Sequence, residues 1–147
     1  MGEFIDSGCE VVRYASGGLV DGDTVTGGAF KPRPADEGLL SVNRLGICGE
    51  DAEDDLSKLR GIIASWMTVR KTGRLAQISA RDIASIVQSA ERTFHLEEDE
   101  RKEYGKIDDP SHALIHGIPS SEDDGAIALR DMIAIAVSHL HPAVSDA

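Results

Sequence analysis

Apolar and polar residues change period several times along this chain, and each change marks an element. Cys9-Glu10-Val11-Val12-Arg13-Tyr14 is rich in β-forming residues and stops at Ser16-Gly17-Gly18, so it predicts a first strand. Leu19 to Phe30 carries Asp21-Gly22-Asp23 and Gly27-Gly28. Glycine supplies the positive φ of tight turns, and the segment predicts a hairpin or an irregular loop. Lys31-Pro32-Arg33-Pro34 predicts an extended stretch, because each proline also restricts the residue before it. Leu39 to Leu45 predicts a second strand, ended by Gly46 and Gly49. Alternation puts Leu40 and Val42 on one side of it and Ser41 and Asn43 on the other.

Glu50 to Lys71 switches to helical spacing, with Leu56, Leu59, Ile63, Trp66 and Met67 in one stripe. Asp51, Glu53, Asp54 and Asp55 crowd the positive end of its dipole, Arg70 and Lys71 sit at the negative end, and Gly73 is the expected stop. Arg74 to Ser79 predicts a short strand. Ser79 and Asp82 then have the spacing of a capping box, opening a helix with Ile83, Ile86, Val87, Ala90 and Phe94 at core positions. That helix is expected to run into a solvated charged segment, Leu96 to Glu103. Asp108-Asp109-Pro110 predicts a turn, Ser111 to Ile118 a strand, and Pro119 to Gly125 a polar turn. A last helix is expected from about Gly125 to His141, burying Ala126, Leu129, Ile133, Ala136, Val137 and Leu140 and stopped by Pro142. His139 and His141 would then serve its negative end.

The expected fold class is α+β: one domain over residues 1–147, with a small sheet of three to five strands and two or three helices packed on one face. The sequence has no internal repeat and no low-complexity linker. At 147 residues it is long enough to bury a core, and with aromatics at 4% that core must be mostly aliphatic.

Charge narrows the function classes. There are 26 Asp and Glu against 15 Lys and Arg, a formal net charge of −11. Such a surface repels a phosphate backbone at long range, which opposes direct binding of duplex nucleic acid and favours a basic protein partner. Met1 to Glu10 has three acids and no basic residue, unlike a secretory leader, and no apolar window is long enough to span a membrane. A cytoplasmic protein is the expectation. Cys9 and Cys48 stand alone in sequence, so no structural zinc or other metal is expected, and whether they pair is left open. No phosphate-loop, dinucleotide, nucleophile-elbow, zincin or kinase signature occurs, so no cofactor is expected.

The candidate chemistry is sparse. His112 and His116 are four apart on a predicted strand, about 13 Å along it, too far to share a metal. Their ordinary reading is half-buried or exposed histidine; the sharper one is acid–base chemistry. Lys31, Arg33 and Arg44 form the one locally basic stretch, either exposed loop charges or an anion site.

Asp21-Gly22 through Ala29-Phe30, then Leu40-Ser41-Val42-Asn43, then Asp109-Pro110-Ser111-His112-Ala113 together form an arrangement that resembles short uncharacterised bacterial proteins with a DG…AF…LSVN…DPSHA pattern. The resemblance spans roughly positions 9–118. It implies a bacterial origin and a compact α+β domain, and it carries no activity, cofactor or catalytic residue to transfer. Its polar members are Asp21, Ser41, Asn43, Asp109, Ser111 and His112.

The leading functional expectation is a non-enzymatic interaction or accessory protein of a bacterial multi-component system, such as the partner of a toxin or defence effector. The acidic runs Asp51 to Asp55, Glu97 to Glu100 and Glu122 to Asp124 are its candidate contact zones. One alternative is a small enzyme with a site around Asn43, Arg44, Asp109, Ser111 and His112. Another is an acidic mimic of nucleic acid.

Overall fold

A computed structural model describes residues 3–33 and 38–144. In chain order the strands are β1 (Phe4–Ile5), β2 (Glu10–Ala15), β3 (Val20–Asp21), β4 (Thr24–Val25), β5 (Leu40–Arg44), β6 (Arg74–Ser79), β7 (His95–Glu98), β8 (His112–His116) and β9 (His139–Pro142). The helices are α1 (Ala52–Trp66), α2 (Ala80–Ser89) and α3 (Asp124–Ile135), with 3₁₀ turns at Gly17–Leu19 and Gly27–Phe30. Seven strands form one sheet in the order β1-β7-β8-β5-β2-β6-β9, every pairing antiparallel; β3 and β4 make a separate hairpin. The sheet is therefore larger than the three to five strands expected from sequence.

Alternation along the strands builds two cores. Val11, Ala15, Leu40, Val42, Ala76, Ile78, Leu96, Ala113 and Ile115 face α2 and α3, where Ile83, Val87, Leu129 and Ile133 meet them together with Phe30. On the other face, Val12 and Leu75 pack against Leu59 and Ile63 of α1. Helices thus cover both faces, not one. The reason lies in β2, where Val11 and Val12 are consecutive and both fully buried, so each face of that strand needs a cover.

Three element ends differ from the periodicity. α1 stops at Trp66, where Met67 turns extended, rather than running to Lys71. Arg70 and Lys71 lie outside the helix. Val69 packs into the second core and the Arg70 N–H donates to the Tyr14 hydroxyl, so tertiary contacts hold the segment away from the helix axis. Gly73 is then no helix stop. A Cβ there would come within 2.5 Å of the Tyr14 ring, so the strand β6 can enter only past a glycine.

The second helix ends at Ser89, short of Phe94, and the segment expected to be solvated supplies β7 instead. Leu96 is 1% exposed between β1 and β8, while Glu97 on the opposite side meets His116. One buried leucine in a charged run is too brief a signal for periodicity to register. The last helix ends at Ile135, and His139–Pro142 pairs with β6 as an edge strand. His139 and His141 therefore serve no helix terminus; their rings stack at 5.7 Å. Pro142 is tolerated because it ends an edge strand.

In the stripe expected for α1, Met67 is 40% exposed and Leu56 and Trp66 are half-buried, while the other strand positions hold closely. β2, β5, β6 and β8 fall where alternation put them, and Asp51, Ser79 and Asp123 cap the three helices through their side chains. Ser79 accepts from Arg81 N–H rather than from the residue after it. Gly22, at φ +61, turns the β3–β4 hairpin. Pro34 of the expected extended stretch lies outside the described residues. No helix among the described residues is long and apolar enough to cross a membrane.

Candidate functional site

The C-terminal half of α1 stands over the β2–β5–β8 part of the sheet and leaves a cleft of about 170 Å³. The sheet floor presents Val12 and Tyr14 from β2, Ser41 and Asn43 from β5, and His112 from β8. Ile63, Trp66 and Met67 of α1 and its exit form one wall; Arg33, Arg101 and Asp109 complete the rim. Arg13 enters from β2, where its Nε donates to Ala29 O at 3.0 Å and its Nη1 to Ser41 O at 2.7 Å. Phe30, buried beside Ala29, anchors the turn that holds this arginine.

The loop between β7 and β8 is fastened to α1. Trp66 Nε1 donates to Ile107 O at 2.7 Å, and the Ile107 N–H donates to Ser65 Oγ at 3.1 Å. The Lys106 ammonium and the Arg101 guanidinium lie 4.7 and 5.8 Å from the centre of the indole ring. Each of these cations over the ring is also paired with a carboxylate, Lys106 with Glu103 at 2.7 Å and Arg101 with Asp99 at 3.5 Å.

At the other end of the same loop a buried polar cluster starts β8. Asn43 Nδ2 donates to Asp109 Oδ2 at 2.7 Å and to Ser111 Oγ at 2.9 Å. Ser111 donates to Asp109 Oδ1 from its hydroxyl at 2.7 Å and from its backbone at 3.1 Å. Asp109, Ser111 and His112 are all nearly inaccessible. Ser111 is fully buried and committed to Asp109, which removes it as a reacting group.

His112 sits between two partners. Its Nδ1 lies 2.9 Å from Asp99 Oδ2 and 3.0 Å from Asp99 O, and its Nε2 meets Ser41 Oγ. Both Asp99 atoms can only accept, so Nδ1 carries the proton. Burial, and secondarily the Arg101 charge, pushes His112 below the usual histidine value; the carboxylates of Asp99 and Asp109 oppose this. The lowered value favours the neutral ring, in which Nε2 is an acceptor and the Ser41 hydroxyl donates to it.

Of the residues singled out from sequence, the structure brings Ser41, Asn43, Asp109, Ser111 and His112 together across two neighbouring strands. Arg44 does not join them. It lies on the Leu40–Val42 side of β5, with its Nε buried and lacking a hydrogen-bond partner. Asp21 is exposed in the β3–β4 hairpin, away from the cluster. His116 points to the same side as His112 but is engaged by Glu97 at 2.8 Å, beside Phe4 and His95. His112 is buried, contrary to the half-buried or exposed expectation. The basic stretch divides: Lys31 pairs with Glu122, Arg33 reaches the cleft, and Arg44 goes to the opposite face. Cys9 and Cys48 are free thiols, both pushed up by burial.

Sequence reasoning missed Arg13, Asp99, Arg101 and the placement of Trp66. Nothing local flags them: Asp99 and Arg101 belong to a charged run that reads as solvated, and Trp66 reads as core. A wider hollow of about 810 Å³ lies at the start of α1, next to Cys9, Glu10, Gln77 and His141. Two of its five acids are spent on the chain itself, since Asp51 caps α1 and Asp55 binds three backbone N–H groups. Among the described residues no group of three or more His, Cys, Asp or Glu is placed to hold a metal.

The chain was compared with protein-family models, with curated proteins and with solved structures, and it matches none of them.

Proposed function

We propose that the protein is an accessory binding protein whose cleft beneath the end of α1 takes a small anionic group. One observation carries this reading: Arg13, Arg33 and Arg101 all line a single cleft in a chain of net charge −11, with Arg13 held there by two backbone oxygens and Arg101 paired with Asp99. Guanidinium forks match carboxylate and phosphate oxygens, and they gain strength where the cleft excludes water. Pockets for drug-sized ligands run to about 300–1,000 Å³, so this smaller cleft fits a head group or a small metabolite rather than a large ligand.

Trp66 is the one tryptophan of the chain and stands in the cleft wall, so its emission reports occupancy directly. Titration with inorganic phosphate and pyrophosphate is expected to change that emission saturably, while sodium chloride at matched ionic strength is not. Arg33→Gln is expected to weaken the response about tenfold or more, the worth of a charge-assisted contact. No saturable response to either anion would overturn the reading.

The net charge also supports a basic protein partner, with an association rate that falls as salt screens the attraction. It opposes binding of duplex DNA at ~0.15 M salt. The acidic runs give this docking reading less support than the cleft gives the first. Asp51 and Asp123 cap helices, Asp55 is buried, Asp54 pairs with Lys58, and Glu122 pairs with Lys31 and Arg130. A nucleic-acid mimic would draw on the same surface charge and is supported no further.

A further inference from the structure

We propose that Ser41 is an activated nucleophile, with His112 as its general base and Asp99 as the residue that orients the imidazole, and that the cleft cleaves small esters bearing an anionic group. The substrate class rests on the anion-binding reading above; the activation of Ser41 stands without it.

Three observations converge. Ser41 Oγ contacts His112 Nε2, and Asp99 lies 2.9 Å from the other ring nitrogen, the order of roles that activates a serine hydroxyl. The proton assignment is forced by Asp99, whose oxygens only accept, so the nitrogen facing Ser41 is the basic one. Ser41 and His112 both line the cleft, whereas Ser111, the neighbouring serine of the cluster, is sealed off and bound to Asp109. Arg13 adds rigidity, since its Nη1 holds the backbone oxygen of Ser41.

The chemistry balances with water as the only co-reactant. Ser41 Oγ attacks the ester carbonyl carbon as its proton passes to His112 Nε2, and the carbonyl π pair moves onto oxygen. The developing negative charge forms in a cleft lined by guanidinium groups, which favours it. Collapse breaks the bond to the alcohol, which leaves with the proton from Nε2 and an acyl group on Ser41. Water then attacks that acyl group with its proton going to Nε2. Collapse releases the carboxylic acid and returns the proton to Ser41.

The test uses the intact protein and a fluorophosphonate, which labels activated serines. Intact mass is expected to show a single adduct, and peptide mapping is expected to place it on Ser41. Labelling is expected to rise with pH as His112 loses its proton. Asp99, Asp109 and Arg101 are the charged groups acting on that imidazole. Asp99→Asn is expected to slow labelling about a hundredfold and to change the pH profile, with the thermal melt retained. A merely structural aspartate would leave the profile of the residual labelling unmoved. Absence of an adduct on protein whose Trp66 emission still responds to phosphate overturns the nucleophile and leaves the binding reading intact. An adduct on Ser41 in protein that ignores phosphate keeps the nucleophile and removes the anionic substrate class. Adducts scattered over several serines, or a rate indifferent to Asp99→Asn, overturn the proposal.

Discussion

Asn43 of β5 and Asp109 of the loop before β8 stand 66 residues apart in the chain and are joined by a 2.7 Å hydrogen bond in the interior. The same amide donates to Ser111 Oγ, so both its protons are used. This pins the loop that carries Asp99 and Arg101 to the floor of the cleft. Asn43→Ala should leave a buried carboxylate short of a donor and lower stability by about 1–3 kcal/mol in urea unfolding. In a double-mutant cycle, Asn43→Ala and Asp109→Ala should combine to less than the sum of the two, because both act on one network. Strict additivity would refute the coupling.

Asp55 is 2% exposed and accepts from the N–H groups of Gly46, Cys48 and Gly49 at 2.8, 2.7 and 3.1 Å. One carboxylate therefore organises the whole turn between β5 and α1. Asp55→Ala should cost about 2–4 kcal/mol, more than a surface carboxylate such as Glu53, whose removal should stay within ~0.5 kcal/mol. Chemical denaturation of the two variants side by side distinguishes them.

The two cores make separate claims. Leu59→Ala opens a cavity on the α1 face and Ile133→Ala one on the α3 face, and each should cost ~2–5 kcal/mol. Ile135 is 84% exposed, and Ile135→Ala should be nearly neutral. A small effect at Leu59 would show that α1 packs less firmly than the structure has it.

His112 makes stability depend on pH with a definite sign. Its folded value lies below the ordinary 6.5, so the unfolded chain binds the proton more readily. Its contribution is complete above 6.5 and is lost as pH falls from there toward the folded value. His141, also lowered by burial first, acts in the same direction. His112→Asn should flatten the decline in stability below pH 6.5, and a proton NMR titration should place the His112 ring below the ordinary histidine value. A stability curve that rises on acidification through this window would contradict the assignment.

Much of the fold was legible because its causes are local. Strict alternation at Leu40-Ser41-Val42-Asn43 places strand and side alike, and the same rule puts His112 on the Ser41 side of the adjoining strand. The inner residues Leu59 and Ile63 of α1 and Ile83 and Val87 of α2 were equally readable. What failed were segments whose state is decided elsewhere. Leu96 becomes a strand residue because β1 and β8 flank it, and His139–Pro142 becomes a strand because β6 offers an open edge. Neither neighbour is visible from inside the segment.

The candidate site divides in the same way. By itself the sequence put Ser41 and Asn43 on one side of β5 and His112 and His116 on one side of β8, since side-chain alternation is a property of the strand alone. It also determined the net charge, and with it the contrast that makes an arginine-lined cleft informative. Only the tertiary structure decided that Asp99 belongs with His112 and Ser41, that Arg13, Arg33 and Arg101 converge, and that Arg44 goes to the other face. Those facts depend on which strands pair and on how the β7–β8 loop is fastened to Trp66. Pairing is set by burying two faces of one sheet at once, a condition on the whole chain that no single stretch of sequence encodes.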